Sequence, residues 1–115
     1  MSILSELTAI LSPLIPIETG IFSETPPDSY LVITPLSDVF DLYTDDCPRH
    51  ETQEARLSVF DKGNYTQVKN SIVRALLKTG FMITDRRYIG REDDTGYHNY
   101  AIDVAKDYDY ELKED

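Results

Sequence analysis

The sequence predicts an α+β domain of two layers: a mainly antiparallel sheet of about five strands with two helices packed on one of its faces, in the order α-β-β-β-α-β-β. Three observations lead there. Two segments repeat apolar residues at helical spacing, several others alternate at period two, and the connections between the alternating runs are short and rich in turn residues. At 115 residues the chain has the length of one domain, and 41% apolar residues is a globular proportion. Residues 1–108 read as that domain, and 109–115 as an acidic, frayed tail.

Ile3, Leu7, Ile10, Leu11 and Leu14 form the first apolar stripe, with Ser2 as N-cap. The helix is expected to stop before Pro13, because proline lacks the N–H and its ring crowds the preceding turn. Ile15–Pro27 is turn-rich, with room for a short extended piece at Gly20–Ser23. Tyr30–Thr34 is a buried-strand candidate that Pro35 either ends or confines to an edge. Val39–Thr44 alternates, Thr44–Pro48 reads as a turn, and Thr52–Phe60 alternates again with Ala55, Leu57 and Val59 facing inward. These two strands form a long hairpin.

The second helix carries the strongest signals. Asn64 caps it with Gln67 three residues on, Val68, Ile72, Ala75 and Leu76 make its apolar stripe, and Lys78 sits in its last turn. Gly80 suits a left-handed terminator. Phe81–Ile89 and Tyr97–Ala105 are the last two strands, joined by the polar loop Glu92–Gly96, with Tyr100, Ile102 and Val104 on one face. Beyond Lys106 the chain alternates Asp and Tyr and becomes charged, so fraying is expected there.

The formal charge of −10 argues against a polyanion-binding surface, which needs clustered cations. Its distribution is uneven. Residues 1–48 hold eight acids and no Lys or Arg; residues 49–100 carry a net +2 and residues 101–115 a net −4. Such asymmetry permits head-to-tail contact between copies. The apolar stretch Ile3–Ile17 contains Glu6, Pro13 and Pro16, so it is neither a membrane span nor, lacking a basic start, a signal peptide. One Cys cannot make an intrachain disulfide, which fits a reducing compartment.

A search for chemistry returns little. Cys47 near His50 lacks an orienting acid at a defined spacing, and His98 has no partner four residues away. Asp38, Asp41, Asp45 and Asp46 supply oxygens but not the spacing of a calcium loop, and Asp93–Gly96 is ordinary turn composition. Arg86-Arg87-Tyr88 with Arg91 nearby has the composition of a nucleic-acid clasp, but consecutive strand residues point to opposite faces. No glycine-rich phosphate loop is present. No catalytic, cofactor-binding or metal residue is therefore assigned.

The ordered segments SYLVITPL, an acidic hairpin, QEARLSVFDKGNY, a short capped helix, TDRRYIG and DDTGYHNYAIDVA are together similar to the tail-completion proteins of tailed phages and prophages, also called tail terminators or tail-to-head joining proteins. The resemblance spans about Ile3 to Tyr108 and lies in order and spacing, with no catalytic signature. It implies a structural virion protein and no enzyme or cofactor. Its subunits form a ring, a hexamer, that ends the tail tube and joins it to the head connector. The implied partners are further copies of the chain, the tail-tube protein and the head-connector protein, with no membrane. The implied location is the virion neck, after assembly in the host cytoplasm.

Beside that resemblance, the charges yield two expectations. The hairpin bearing Asp38, Asp41, Asp45 and Asp46 faces the ring's lumen, where carboxylates repel DNA that must pass without being gripped. Arg86, Arg87 and Arg91 lie at the subunit interface. Alternatives are another neck or connector protein of the same particle, an acidic DNA mimic that inhibits host DNA-binding enzymes, or a small metal-dependent hydrolase built on the Asp cluster.

Overall fold

The computed structural model describes residues 2–18, 27–44 and 47–109, with side chains described at 2–18, 27–36 and 51–108. Helix α1 spans Ile3–Leu11, strand β1 Ile17–Glu18, β2 Ser29–Thr44 and β3 Cys47–Asp61. Helix α2 follows at Tyr65–Lys78, then β4 at Met82–Arg91 and β5 at His98–Asp109. The five strands form one sheet in the order β1-β2-β3-β5-β4, antiparallel except for the short parallel β1–β2 pair. The α+β class and the α-β-β-β-α-β-β order are as the sequence predicts.

Helix α1 begins where Ser2 Oγ accepts the Ser5 amide at 3.2 Å, and Glu6 in the first turn complements the positive end of the helix. It ends ahead of Pro13, as expected. Ile3, Leu7 and Leu11 are buried, but Leu14 is 49% exposed and Ile15 is buried in its place. The turn after Leu11 breaks the helical phase, so the stripe shifts by one residue. In α2, Asn64 Oδ1 accepts the Gln67 amide at 3.2 Å, while the Phe81 amide reaches back to the Leu76 carbonyl at 3.1 Å across Gly80 (φ 86°). That 6→1 bond, with Phe81 buried beyond it, is a Schellman ending that needs a left-handed residue.

The strands differ from expectation at three places. Tyr30–Thr34 and Val39–Thr44 are one strand, and the third strand before α2 is instead Ile17–Glu18. Pro35 does not end β2. Among the described residues β1 covers only Leu31 and Val32, so Pro35 lies on an open edge, next to a register irregularity between Pro35 and Ser37, where a missing N–H costs no ladder bond. At the other end, β5 pairs with β3 through His50↔Asp109, past the Lys106 position where fraying was expected. Strand pairing with β3 holds this stretch. Residues 110–115, the extended piece suggested at Gly20–Ser23, and Asp45 and Asp46 lie outside the described residues.

Both helices pack on one sheet face. Leu7, Leu11, Ile72 and Leu76 meet Leu31, Ala55, Leu57, Val59, Ile102 and Val104 in a single cluster. Leu57 pairs with Ile33 on one side and Ile102 on the other, so a row of branched side chains crosses three strands. Burying each large aliphatic side chain contributes roughly 1.5–3 kcal/mol, and this one cluster is the main stabilising feature. Tyr30, Phe60 and Tyr97 stack at one end of the sheet, with centroids 4.8, 5.3 and 6.3 Å apart, and the Tyr97 hydroxyl donates to the Pro27 carbonyl at 2.6 Å.

Candidate interaction surfaces

The body of the domain stops near Gln53, whose Oε1 accepts the Ile3 amide at 2.8 Å and so closes the start of α1. The sheet does not stop there. Three strands run on side by side, with Asp38, Gln53 and Lys106 in one row, Val39, Thr52 and Asp107 in the next, and Phe40, Glu51 and Tyr108 beyond. The molecule consequently measures 54 × 27 × 23 Å, with a radius of gyration of 16.1 Å. A compact domain of this length has a radius of about 13 Å. The excess is this arm.

The arm is where the sequence places its acidic run. Asp38 pairs in register with Gln53, and Asp41 falls at the irregularity between Phe40 and Leu42, where β2 carries one residue more than β3. Asp45 and Asp46, which sit between Thr44 and Cys47, are outside the described residues. The arm's root is braced from the body. Glu6 on α1 accepts from the Tyr108 hydroxyl at 3.0 Å and forms an ion pair with Lys106. Burial and then the Glu6 carboxylate push the Tyr108 hydroxyl well above its ordinary pKa. Burial, with smaller contributions from neighbouring charges, also raises Tyr30 and Tyr97.

Arg86, Arg87 and Arg91 all lie on β4, at the opposite edge of the sheet, and all are exposed. Arg86 pairs in register with Ile102 and Arg87 with Ala101, so the two emerge on opposite faces. Arg87 Nε is 3.1 Å from Asp85 Oδ2, and Arg91 Nη1 is 3.8 Å from Asp93 Oδ1. These exposed pairs are weak and leave the guanidinium groups available to another molecule. The structure thus gathers the three arginines on one strand, at the far side of the sheet from the acidic arm strand β2.

Sequence reasoning missed an aromatic group beside these arginines. Tyr65 at the start of α2 lies over Tyr88, His98 and Tyr100, with centroids 5.2, 5.0 and 6.2 Å away, and Tyr88 Oη is 2.8 Å from His98 Nδ1. The signal was weak because Tyr88 meets Tyr100 only through the register that two irregularities in β4 impose. Also missed was the placing of the exposed large apolar residues. Among the described residues, Met82, Tyr88 and Ile89 are on β4 and Leu36 is on β2, the two sheet edges, and only Leu14 and Leu77 lie elsewhere.

Two hollows among the described residues hold little titratable chemistry. One of about 200 Å³, between the end of α1 and α2, is lined by Leu14, Ile15, Val68 and Ile72 with Gln67 and Ser71. Another, of about 290 Å³, lies between α1 and the β1–β2 pair and holds only Glu18 as a titratable group. Among the described residues no three His, Cys, Asp or Glu side chains converge as metal ligands, and no helix is long and apolar enough to cross a membrane. Asn99 Oδ1 is buried with no hydrogen-bond partner among the described residues, an isolated acceptor rather than part of a cluster. Comparison of the chain with protein-family models and with curated proteins finds no match to either.

Proposed function

We propose that the chain is a structural subunit of a tailed phage or prophage particle, a tail terminator that works by assembling into a ring. The ring, a hexamer by the resemblance in its ordered segments, caps the tail tube and offers its other side to the head connector. The subunit does no chemistry of its own, binds no cofactor, and lets DNA pass through without specific contact. It is made in the host cytoplasm and ends in the virion neck.

The observation that carries this reading is the three-stranded arm. An enzyme of this size gains nothing from running β2, β3 and β5 on past its core, because strands without a layer against them add little stability of their own. A subunit that must reach into a lumen or onto a tube does gain. With Asp38 and Asp41 on β2, and Asp45 and Asp46 following Thr44 in the sequence, such an arm brings negative charge where duplex DNA must slide. The Glu6–Tyr108–Lys106 brace holds the arm at a fixed angle to the body.

The test is tube capping. Tail-tube protein from the same particle is polymerised with and without the purified chain, and tube lengths and ends are measured by electron microscopy. The reading expects shorter tubes of defined length, each ending in an added ring of density. Tubes of unchanged length with bare ends would overturn it.

A further inference from the structure

We infer that copies of this chain join through their sheet edges, the β4 edge of one pairing with the β2 edge of the next to make one continuous antiparallel sheet across the boundary. This rests on the ring reading above and specifies the contact that builds the ring.

Four observations point to the same pair of surfaces. First, both edges are open. β4 is the last strand of the sheet, 10 residues long, and among the described residues nothing pairs with β2 on its outer side beyond Val32. Open strands of this length template pairing with another chain unless they are blunted. Second, the strand directions fit. β1, β2 and β5 run one way, and β3 and β4 run the other. When a neighbouring copy continues the sheet with the same face outward, its β2 lies antiparallel to β4.

Third, the charges are complementary. Arg86, Arg87 and Arg91 are on β4, whereas the stretch of β2 beyond Val32 carries Asp38 and Asp41 and no base. Neighbouring copies in this arrangement attract, while two β4 edges or two β2 edges brought together repel. The contact is therefore head-to-tail, the kind that closes into a ring. Fourth, the exposed apolar residues Met82, Tyr88 and Ile89 on β4 and Leu36 on β2 sit at these two edges, where pairing would cover them. The charges of β4 alone would read as ordinary edge protection. Exposed Met, Tyr and Ile on the same strand do not fit that role.

The regular part of β4 lies between its two irregularities, from Asp85 to Tyr88, and contains Arg86 and Arg87. On β2, Pro35 has no N–H to donate, so pairing centres on the stretch past the Pro35–Ser37 irregularity, which holds Asp38 and Asp41.

A charge-swap experiment on the full chain tests this. One variant carries Arg86→Glu and Arg87→Glu, the other Asp38→Lys and Asp41→Lys, and each is checked for folding by circular dichroism. In the first variant both edges are acidic, and in the second both are basic. Each alone should associate at least tenfold more weakly than the unaltered chain by light scattering. An equal mixture should assemble, because acidic and basic edges then alternate around the ring. Assembly of either variant alone at the unaltered strength would overturn the inference, as would failure of two folded variants to assemble when mixed. On the unaltered chain, hydrogen exchange gives a second reading. Amides of Met82–Arg91 and of residues 33–44 should exchange at least tenfold more slowly in the assembly than in the monomer. If a ring forms and those amides are unprotected, the edge pairing is wrong and the ring reading stands. If the unaltered chain never associates, alone or on tail tubes, both fall.

Discussion

Arg56 on β3 and Asp103 on β5 stand directly opposite each other on the sheet face turned away from the helices, with Nε 2.8 Å from Oδ1 and Nη2 3.1 Å from Oδ2. This two-pronged geometry is the favourable form of an Arg–carboxylate pair. The hydrogen bond and charge of Asp103 raise the Arg56 pKa further above an already high value. The pair ties together β3 and β5, two of the three strands whose extensions form the arm. It also puts charge in the middle of that sheet face, where apolar burial is confined to smaller groups such as Tyr30 with Tyr97, and Ala101.

Because Arg56 is reached by solvent, Asp103→Asn should lower the melting temperature by only a few degrees, and salt should erase part of the difference. Thermal unfolding at low and high salt checks this. An unaltered melting temperature would show the pair to be structurally idle.

The Tyr108 hydroxyl predicts a response to alkali. Its pKa in the fold is raised by burial and by Glu6, so the folded chain holds that proton more tightly than the unfolded chain does. The stabilisation is complete below the unfolded value of about 10 and is lost as pH rises from there through the folded value. Absorbance of tyrosinate should show a late-titrating group, joined by Tyr30 and Tyr97, whose ionisation coincides with unfolding. Glu6→Gln should shift the Tyr108 titration downward. Eight tyrosines all titrating near pH 10 in the folded chain would refute the brace.

Gly80 is constrained by its backbone alone. A Cβ there meets nothing within 4 Å, yet φ is 86°, so Gly80→Ala should destabilise by about 1–2 kcal/mol through conformation and not through a clash. Urea titration measures it. Leu57→Ala, which opens the centre of the core, should cost more, about 2–5 kcal/mol. The ranking of the two is the check: equal losses would mean that the Leu57 site collapses around the smaller side chain.

Neutralising the arm addresses function and not folding. Asp38→Asn, Asp41→Asn, Asp45→Asn and Asp46→Asn together should leave thermal stability nearly unchanged and slow DNA ejection from particles carrying the altered subunit. Ejection kinetics measured by dye binding to released DNA provide the readout. Unchanged ejection would remove the lumen assignment of these acids.

The two helices were legible because their caps and stops are local. Ser2, Asn64, Pro13 and Gly80 act through bonds within a few residues, so spacing alone locates them. The central strand β3 was legible for a similar reason, since Ala55, Leu57 and Val59 all face one buried layer. The merging of Tyr30–Thr34 with Val39–Thr44 was not, because Pro35 is a strand breaker unless its edge is open, and openness is a property of the whole sheet. The arm was hidden too. His50↔Asp109 pairs residues far apart in sequence, and nothing local in an alternating Asp–Tyr tail distinguishes a paired strand from a frayed one. Of the candidate surfaces, Arg86, Arg87 and Arg91 could be read as exposed strand cations, but not as an edge. The Tyr65–Tyr88–His98–Tyr100 group depends on register and could not be read at all.

The account stands most directly on whether this chain closes upon itself. Native mass spectrometry of the purified chain, alone over a wide concentration range and then with tail tubes present, measures that. The account predicts one discrete complex, a small whole-number multiple of the 13.2 kDa subunit, with six the number the resemblance implies. A monomer under every condition, or an open-ended ladder of sizes with no closed species, would contradict it.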